Sequence, residues 1–211
     1  MKIKYPKTMH LPWSRSYTDD DKVLRNTAHF AGREVIITEK MDGENTTMYP
    51  DCIHARSLDS KDHPSRHIVK TLHGGFKYRI PEGYRLCGEN VYAKHSLSYS
   101  SLPSYFMLFS VWNEQNVCLS WDEMLEWAEQ LQLAVVPVLY RGIWDEAAAK
   151  KCYTKQSECG GEQEGYVVRL ASAFAYEEFK QSVAKFVRTN HVQTDEHWLS
   201  KPIEPNALAS S

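Results

Sequence analysis

The sequence lacks any uninterrupted apolar run near the ~20 residues that a membrane span needs. Its opening, MKIKYPKTMHLPWS, contains no apolar stretch of the kind a secretory leader carries. Neither sign of charge is in excess: 25 Lys and Arg stand against 27 Asp and Glu, a formal net charge of −2. That excludes a basic protein that coats nucleic acid with its whole surface, and leaves room for a local basic face. There is no C-x-x-C pair, and the cysteines (Cys52, Cys87, Cys118, Cys152 and Cys159) are odd in number. The expectation is reduced, mostly structural thiols in a cytoplasmic protein. Internal repeats, low-complexity tracts and an obvious interdomain linker are missing as well.

What is present is enough for one large domain. With 211 residues, 42% of them hydrophobic and 12% aromatic, the chain can bury a full core without staples. Thr18 followed by three aspartates predicts a short helix through about Arg25. Val35-Ile36-Ile37, Thr46–Tyr49 and Ile53–Ser57 read as strands, broken at Asp42-Gly43 and Pro50-Asp51. Residues 64–77 read as a helix with Pro64 in its first turn and Gly74-Gly75 as its stop.

Strands are predicted over Tyr84–Val91, Tyr105–Trp112 and Val117–Leu119. Ser120 and Glu123 have capping-box spacing, and Trp121, Met124, Leu125, Ala128 and Leu131 share one helical face. The stretch Ala134–Tyr140 follows as a strand, with Pro137 marking an edge or a bulge. Asp145–Cys152 and Ala175–Gln181 are predicted helices, Tyr166–Leu170 and Val183–Arg188 predicted strands, and Pro202–Ser211 a loose tail. Without regular βαβ alternation, the expected fold is α+β with antiparallel sheets.

The most informative segment is EKMDGEN, residues 39–45. It places a lysine at the end of a β-branched strand, followed by a glycine turn that lets a phosphate approach the backbone. A lysine amine becomes a nucleophile when a low-dielectric pocket, nearby cations or a metal depress its pKa. The bland reading is a surface lysine before a hairpin turn. In order after it come HARS (54–57), LCGEN (86–90), YFMLFSVW (105–112), EGYVVR (164–169) and AKFVR (184–188).

This ordered series resembles the covalent nucleotidyltransferase superfamily of polynucleotide ligases and mRNA capping enzymes. Within it, EKMDGEN with HARS and EGYVVR is most similar to the ATP-dependent RNA ligase family. The resemblance covers about residues 35–190. It implies an adenylation-domain fold, with antiparallel sheets flanked by helices around a nucleotide cleft. It further implies ATP as AMP donor, Mg²⁺ or Mn²⁺, and RNA with a 5′-phosphate and a 3′-hydroxyl end as partner.

Carried over position by position, Lys40 matches the nucleophile that forms a lysyl–AMP bond. Glu39 matches a position in the nucleotide pocket. Asn45 matches an asparagine near the phosphate or nucleic-acid end. Arg56 matches a phosphate-contacting arginine, whose guanidinium fork suits that task. Glu89 matches the acid on the ribose hydroxyls, and Phe109 the aromatic stacked on adenine. Glu164 matches a metal-holding acid, and Lys185 a lysine that neutralises the α-phosphate. Taken singly, Phe109 also suits a plain core role, Arg56 a surface ion pair, and Glu89 and Glu164 solvated turns.

The last motif departs from the family pattern of two lysines separated by one residue. Val183 sits where the other lysine belongs, and Arg188 or Lys180 are alternative sources of the charge. Residues 54–79 gather Arg56, Lys61, Arg66, Lys70, Lys77 and Arg79, a candidate face for RNA or simply a solvated helix face. The histidines there match no standard zinc spacing. The expected organisation is one nucleotidyltransferase domain over residues 1–190 and a tail over 191–211, without an OB-fold. The alternatives are a capping-type guanylyltransferase, a minimal DNA ligase, an adenylyltransferase acting on another substrate, and a non-catalytic module that binds nucleic-acid ends.

Overall fold

The computed structural model describes residues 2–15, 21–189 and 202–210. Two sheets carry the chain. The first holds β1 (Met9–His10), β2 (Glu34–Glu39), β9 (Val138–Ile143), β10 (Gly165–Leu170) and β12 (Val183–Val187), in the order β1-β12-β10-β2-β9. The second orders β11 (Phe174–Ala175), β7 (Val117–Cys118), β6 (Phe106–Trp112), β5 (Arg85–Asn90), β3 (Glu44–Met48) and β4 (Ile53–Ala55), with β8 (Ala134–Val135) also paired to β6. The expected α+β class with antiparallel sheets is observed. The pairs β1·β12 and β6·β8 are parallel.

Helices α1 (His67–Phe76) and α2 (Trp121–Leu131) pack on the second sheet. Val69 and Phe76 from α1, and Trp121, Met124 and Ala128 from α2, join Met48, Leu86, Leu108 and Val111 in one core cluster. A second cluster unites Val35, Ile37, Tyr166, Val168 and Phe186 with Ala149 of α3 (Glu146–Lys151) and Phe179 of α4 (Phe179–Ser182). Arg169 ties the sheets together. Its guanidinium donates to the carbonyls of Leu119 (2.8 Å) and Phe109 (3.4 Å) and lies over the rings of Trp121 and Phe174.

The capping box at Ser120 forms as its spacing predicts: Ser120 and Glu123 satisfy each other's backbone N–H groups. Four expectations change. The predicted helix after Thr18 falls partly on residues 16–20, outside the described residues. Over 21–25 the chain is not helical, because its backbone groups bond to β1: His10 N to Lys22 O and Leu24 N to His10 O, both 2.8 Å. Gly74-Gly75 does not stop α1, which runs on to Phe76 because Val69, His73 and Phe76 are held in the core.

Pro137 does more than mark an edge. It lies at the crossing from β8 in one sheet to β9 in the other, beside a register shift opposite Ile37 and Thr38. The tail is not loose over 202–210 either. Asn206 is buried, accepts from Tyr99 N (2.7 Å) and donates to Val91 O (2.8 Å). All five cysteines are free thiols, four of them buried.

Candidate active site

The site forms where β2 of the first sheet passes into β3 of the second. Lys40 is the first residue after β2, and its N–H donates to Gly165 O at 3.0 Å. A Cβ on Gly165 would collide with the carbonyl of Phe186, so only glycine lets β12 lie this close. Glu164, just before Gly165, is thereby aimed back along β2. The ammonium of Lys40 donates to Glu164 Oε1 at 2.6 Å; the carboxylate is 1% exposed and the lysine side chain 25%.

The expected depression of the Lys40 pKa is not seen. Burial pushes it down, but the carboxylates of Glu164, Glu89 and Asp42 outweigh burial and raise it. In this state the amine is a held ammonium. Lys185 behaves in the opposite way: burial, reinforced by the Lys40 charge, brings it down to about 8. Glu89 is pushed up to about 8 by burial and by the carboxylates of Glu164, Asp42 and Glu44, against the pull of Lys40.

Glu89 and Asn45 face each other across the β3·β5 pair. Asn45 Oδ1 is buried with no hydrogen-bond partner among the described residues. Glu39 is 1% exposed; its Oε2 accepts from Glu158 N at 2.9 Å, while Oε1 is buried and has no described partner. Burial raises its pKa, with the bonds to Ser157 and Glu158 pulling the other way. Phe109 is the extra residue of a bulge, since Gly88 pairs with Leu108 and Cys87 with Ser110. It is half-buried, touches both core clusters and meets Tyr5 edge-on at 5.3 Å.

At Gly43, where φ is not positive, a Cβ would strike the carbonyl of Asn90, so the glycine accommodates β5. Asp42 is buried: its Oδ2 accepts from Ser96 N, Ser96 Oγ and Leu97 N at 2.7–2.9 Å, and its own N–H donates to Tyr99 Oη. Pattern reading assigned it no task; only its place in EKMDGEN signalled one.

Arg56 is half-buried beyond β4 and makes no hydrogen bond or ion pair among the described residues. The stretch 54–79 is less basic on its surface than its composition suggests. Arg66 is 5% exposed and engages Glu44 through two 2.6 Å bonds and Lys61 O at 2.7 Å. His54 and His73 are buried on backbone carbonyls, and Lys70 pairs with Asp62. Lys61, Lys77 and Arg79 remain exposed. Of the alternatives to the second lysine, Arg188 donates its backbone N–H to Glu164 O at 3.0 Å while its Nη1 pairs with Glu162 at 2.9 Å, and Lys180 is exposed on α4. Val183 is buried.

The N-terminal segment adds residues that no motif announced. His10 lies opposite Lys185 in the β1·β12 pair and is pushed down to about 4 by burial and the Lys185 charge. Asp21 stands 3.3 Å from Lys7 and 3.7 Å from His10.

Lys40 thus lies in a seam between the sheets, with Glu164 from the first and Glu89 from the second near it. A family model described as RNA ligase matches residues 33–187, and the chain belongs to that family. No curated protein matches it by sequence. Among solved structures, it resembles a Naegleria gruberi RNA ligase variant with ATP and Mn (17% identity, TM-score 0.54, 90% of this chain and 62% of that one). Another variant of that ligase, with AMP and Mn, matches at 17% identity and TM-score 0.55, covering 90% and 63%. The same ligase with PPi matches at 16% and 0.54, covering 90% and 61%. The chain thus spans about three-fifths of the length of these structures. Among the described residues, no helix is long and apolar enough to cross a membrane.

Proposed function

We propose that the chain is an ATP-dependent RNA ligase with a nucleotidyltransferase fold over residues 1–190, working through a covalent bond between Lys40 and AMP. The observation that carries the reading is the meeting of Lys40, just after β2, with Glu164, just before β10, near Glu89 of β5 and Lys185 of β12. Family membership and the likeness to a ligase solved with ATP, AMP, Mn and PPi support it.

Lys40 passes one proton to the Glu164 carboxylate that holds it and attacks the α-phosphorus in line. The new N–P bond forms as the bond to pyrophosphate breaks, and the nitrogen's second proton leaves to solvent. AMP then passes to an RNA 5′-phosphate, and a 3′-hydroxyl displaces it to join the ends. Each step is phosphoryl transfer, in which positioning and charge neutralisation carry the rate. Lys185 neutralises the α-phosphate. Glu89 offers acceptors to the ribose hydroxyls. Glu39 Oε1 and Asn45 Oδ1, buried acceptors without partners, suit donors on the nucleotide. Phe109 offers an aromatic face to adenine and Arg56 an unengaged guanidinium to a phosphate.

Among the described residues no group of three or more His, Cys, Asp or Glu side chains gathers to hold a metal, so a hard divalent cation would take Glu164 together with phosphate and water oxygens. Glu164 would hold Mg²⁺ or Mn²⁺, which supplies charge neutralisation at the transferring phosphate when bound. RNA contacts fall to Arg56, Lys61, Lys77 and Arg79.

Incubation with α-labelled ATP and Mg²⁺ leaves label on the protein, and Lys40→Ala abolishes it. Label that persists in Lys40→Ala rejects the nucleophile. GTP used in place of ATP turns the reading to a capping enzyme, and joining of DNA alone turns it to a DNA ligase. No label with either nucleotide leaves the end-binding module.

A further inference from the structure

The family pattern places two lysines in the last motif, and this chain has one, Lys185, with buried Val183 in the other place. The structure brings a cation there by another route. β1 adds to the edge of the first sheet alongside β12, with Leu11 N donating to Lys185 O at 2.7 Å. Ser14 Oγ fixes the register. It accepts from Val187 N at 2.9 Å and lies 2.8 Å from His10 Nδ1. On this platform Asp21, only 4% exposed, stands between Lys7 Nζ at 3.3 Å and His10 Nε2 at 3.7 Å. Lys7 keeps 43% of its side chain exposed. His10 lies opposite Lys185 in the β1·β12 pair, so Asp21 links Lys7 to the strand edge at Lys185, and the charges of Lys7 and Lys40 both bear on Lys185. Such a cluster is matched by a polyanion with several phosphates.

We propose that Lys7, oriented by Asp21, is the second phosphate-binding cation of this site and holds the pyrophosphate end of ATP. The inference rests on the proposed lysyl–AMP chemistry. In-line displacement puts the leaving pyrophosphate on the far side of the α-phosphorus from buried Lys40. Lys7, tied through Asp21 and His10 to the strand beside Lys185, is the cation assigned to that end. Asp21 is a positioning residue: it restrains the flexible lysine and limits the ordering entropy lost when the nucleotide arrives.

The test compares wild-type protein with Lys7→Ala, Lys7→Arg and Asp21→Asn. Lys7→Ala raises the KM for ATP in self-labelling about tenfold. It slows release of AMP from the labelled protein by added pyrophosphate to a similar degree. Transfer of AMP from labelled protein to 5′-phosphorylated RNA is unchanged, since pyrophosphate has already left. Lys7→Arg restores both parameters, and Asp21→Asn gives a smaller shift of the same kind. Calorimetric titration of pyrophosphate into the nucleotide-free proteins shows at least fivefold weaker binding to Lys7→Ala. An unchanged KM and unchanged pyrophosphate dependence in Lys7→Ala overturn the proposal. So does an equal loss in every step with a lowered Tm, which marks a merely structural lysine. Wild-type protein that takes no label rejects the lysyl–AMP reading instead.

Discussion

The ammonium of Lys40 donates to the carboxylate of Glu164 at 2.6 Å, although 124 residues of chain separate them. The pair keeps the amine charged and unreactive while the site is empty of substrate. It also makes each partner costly to remove alone, because the other is left as a buried charge.

Lys40→Ala is therefore expected to lower stability by about 1–3 kcal/mol, since Glu164 at 1% exposure loses its counter-ion. Glu164→Gln added to it recovers most of that loss. Thermal unfolding of the four proteins of this cycle checks the coupling. Strict additivity rejects it.

Lys185 gives a pH dependence of definite sign. Its folded-state pKa of about 8 lies below the ordinary 10.5, so its charge disappears as pH rises through about 8. ATP binding, which gains from that charge, weakens over the same interval; the KM for ATP measured from pH 7 to 9.5 reads it. Stability runs the other way. The cost of the buried charge is fully present below pH 8 and fades as pH rises towards 10.5. Lys185→Met raises stability at pH 7 by about 1–3 kcal/mol and impairs labelling. A lowered Tm in this variant rejects the account.

Arg66 and its exposed neighbours separate structure from binding. Arg66→Ala leaves Glu44 buried without its guanidinium and costs about 3–5 kcal/mol. Lys77→Ala with Arg79→Ala leaves stability and self-labelling unchanged. It lowers RNA affinity and reduces the slope of log K against log salt by about 1–2. Fluorescence titrations with RNA at several salt concentrations, beside melting curves, check both halves.

Asn206→Ala removes the side chain that bonds Tyr99 N and Val91 O. A loss of about 1–3 kcal/mol is expected, with earlier proteolytic cutting near residues 202–210. Unaltered cutting and Tm reject the docking of that segment.

The strands were legible because β-branched runs and turn residues are local signals: Val35-Ile36-Ile37, the Asp42-Gly43 break and the capping box at Ser120 all stand where the pattern put them. The order of motifs also brought Lys40, Glu164, Glu89 and Lys185 into one account. What stayed hidden depends on partners far away in sequence. A count of charges over 54–79 cannot distinguish Arg66, folded onto Glu44, from Lys77 in solvent. Nor does the turn at Gly43 announce the carbonyl of Asn90 packed against it. Residues 21–25 look like a helix start because the aspartates suit one, yet pairing with His10 takes their backbone bonds. Nothing in the spacing of Lys7, His10 and Asp21 places them beside Lys185; a parallel edge strand does.

The chain crosses from one sheet to the other over residues 40–43, and crosses back between Val135 and Val138. The two crossings are bonded together, Glu39 N donating to Pro137 O at 2.8 Å. The sheets are thus stitched at the very place where the proposed nucleophile, Lys40, sits. A stitch at that point restrains the backbone at Lys40 more than the strand ends farther from the crossings, which suits the proposed role of its nitrogen as the fixed partner of the reaction.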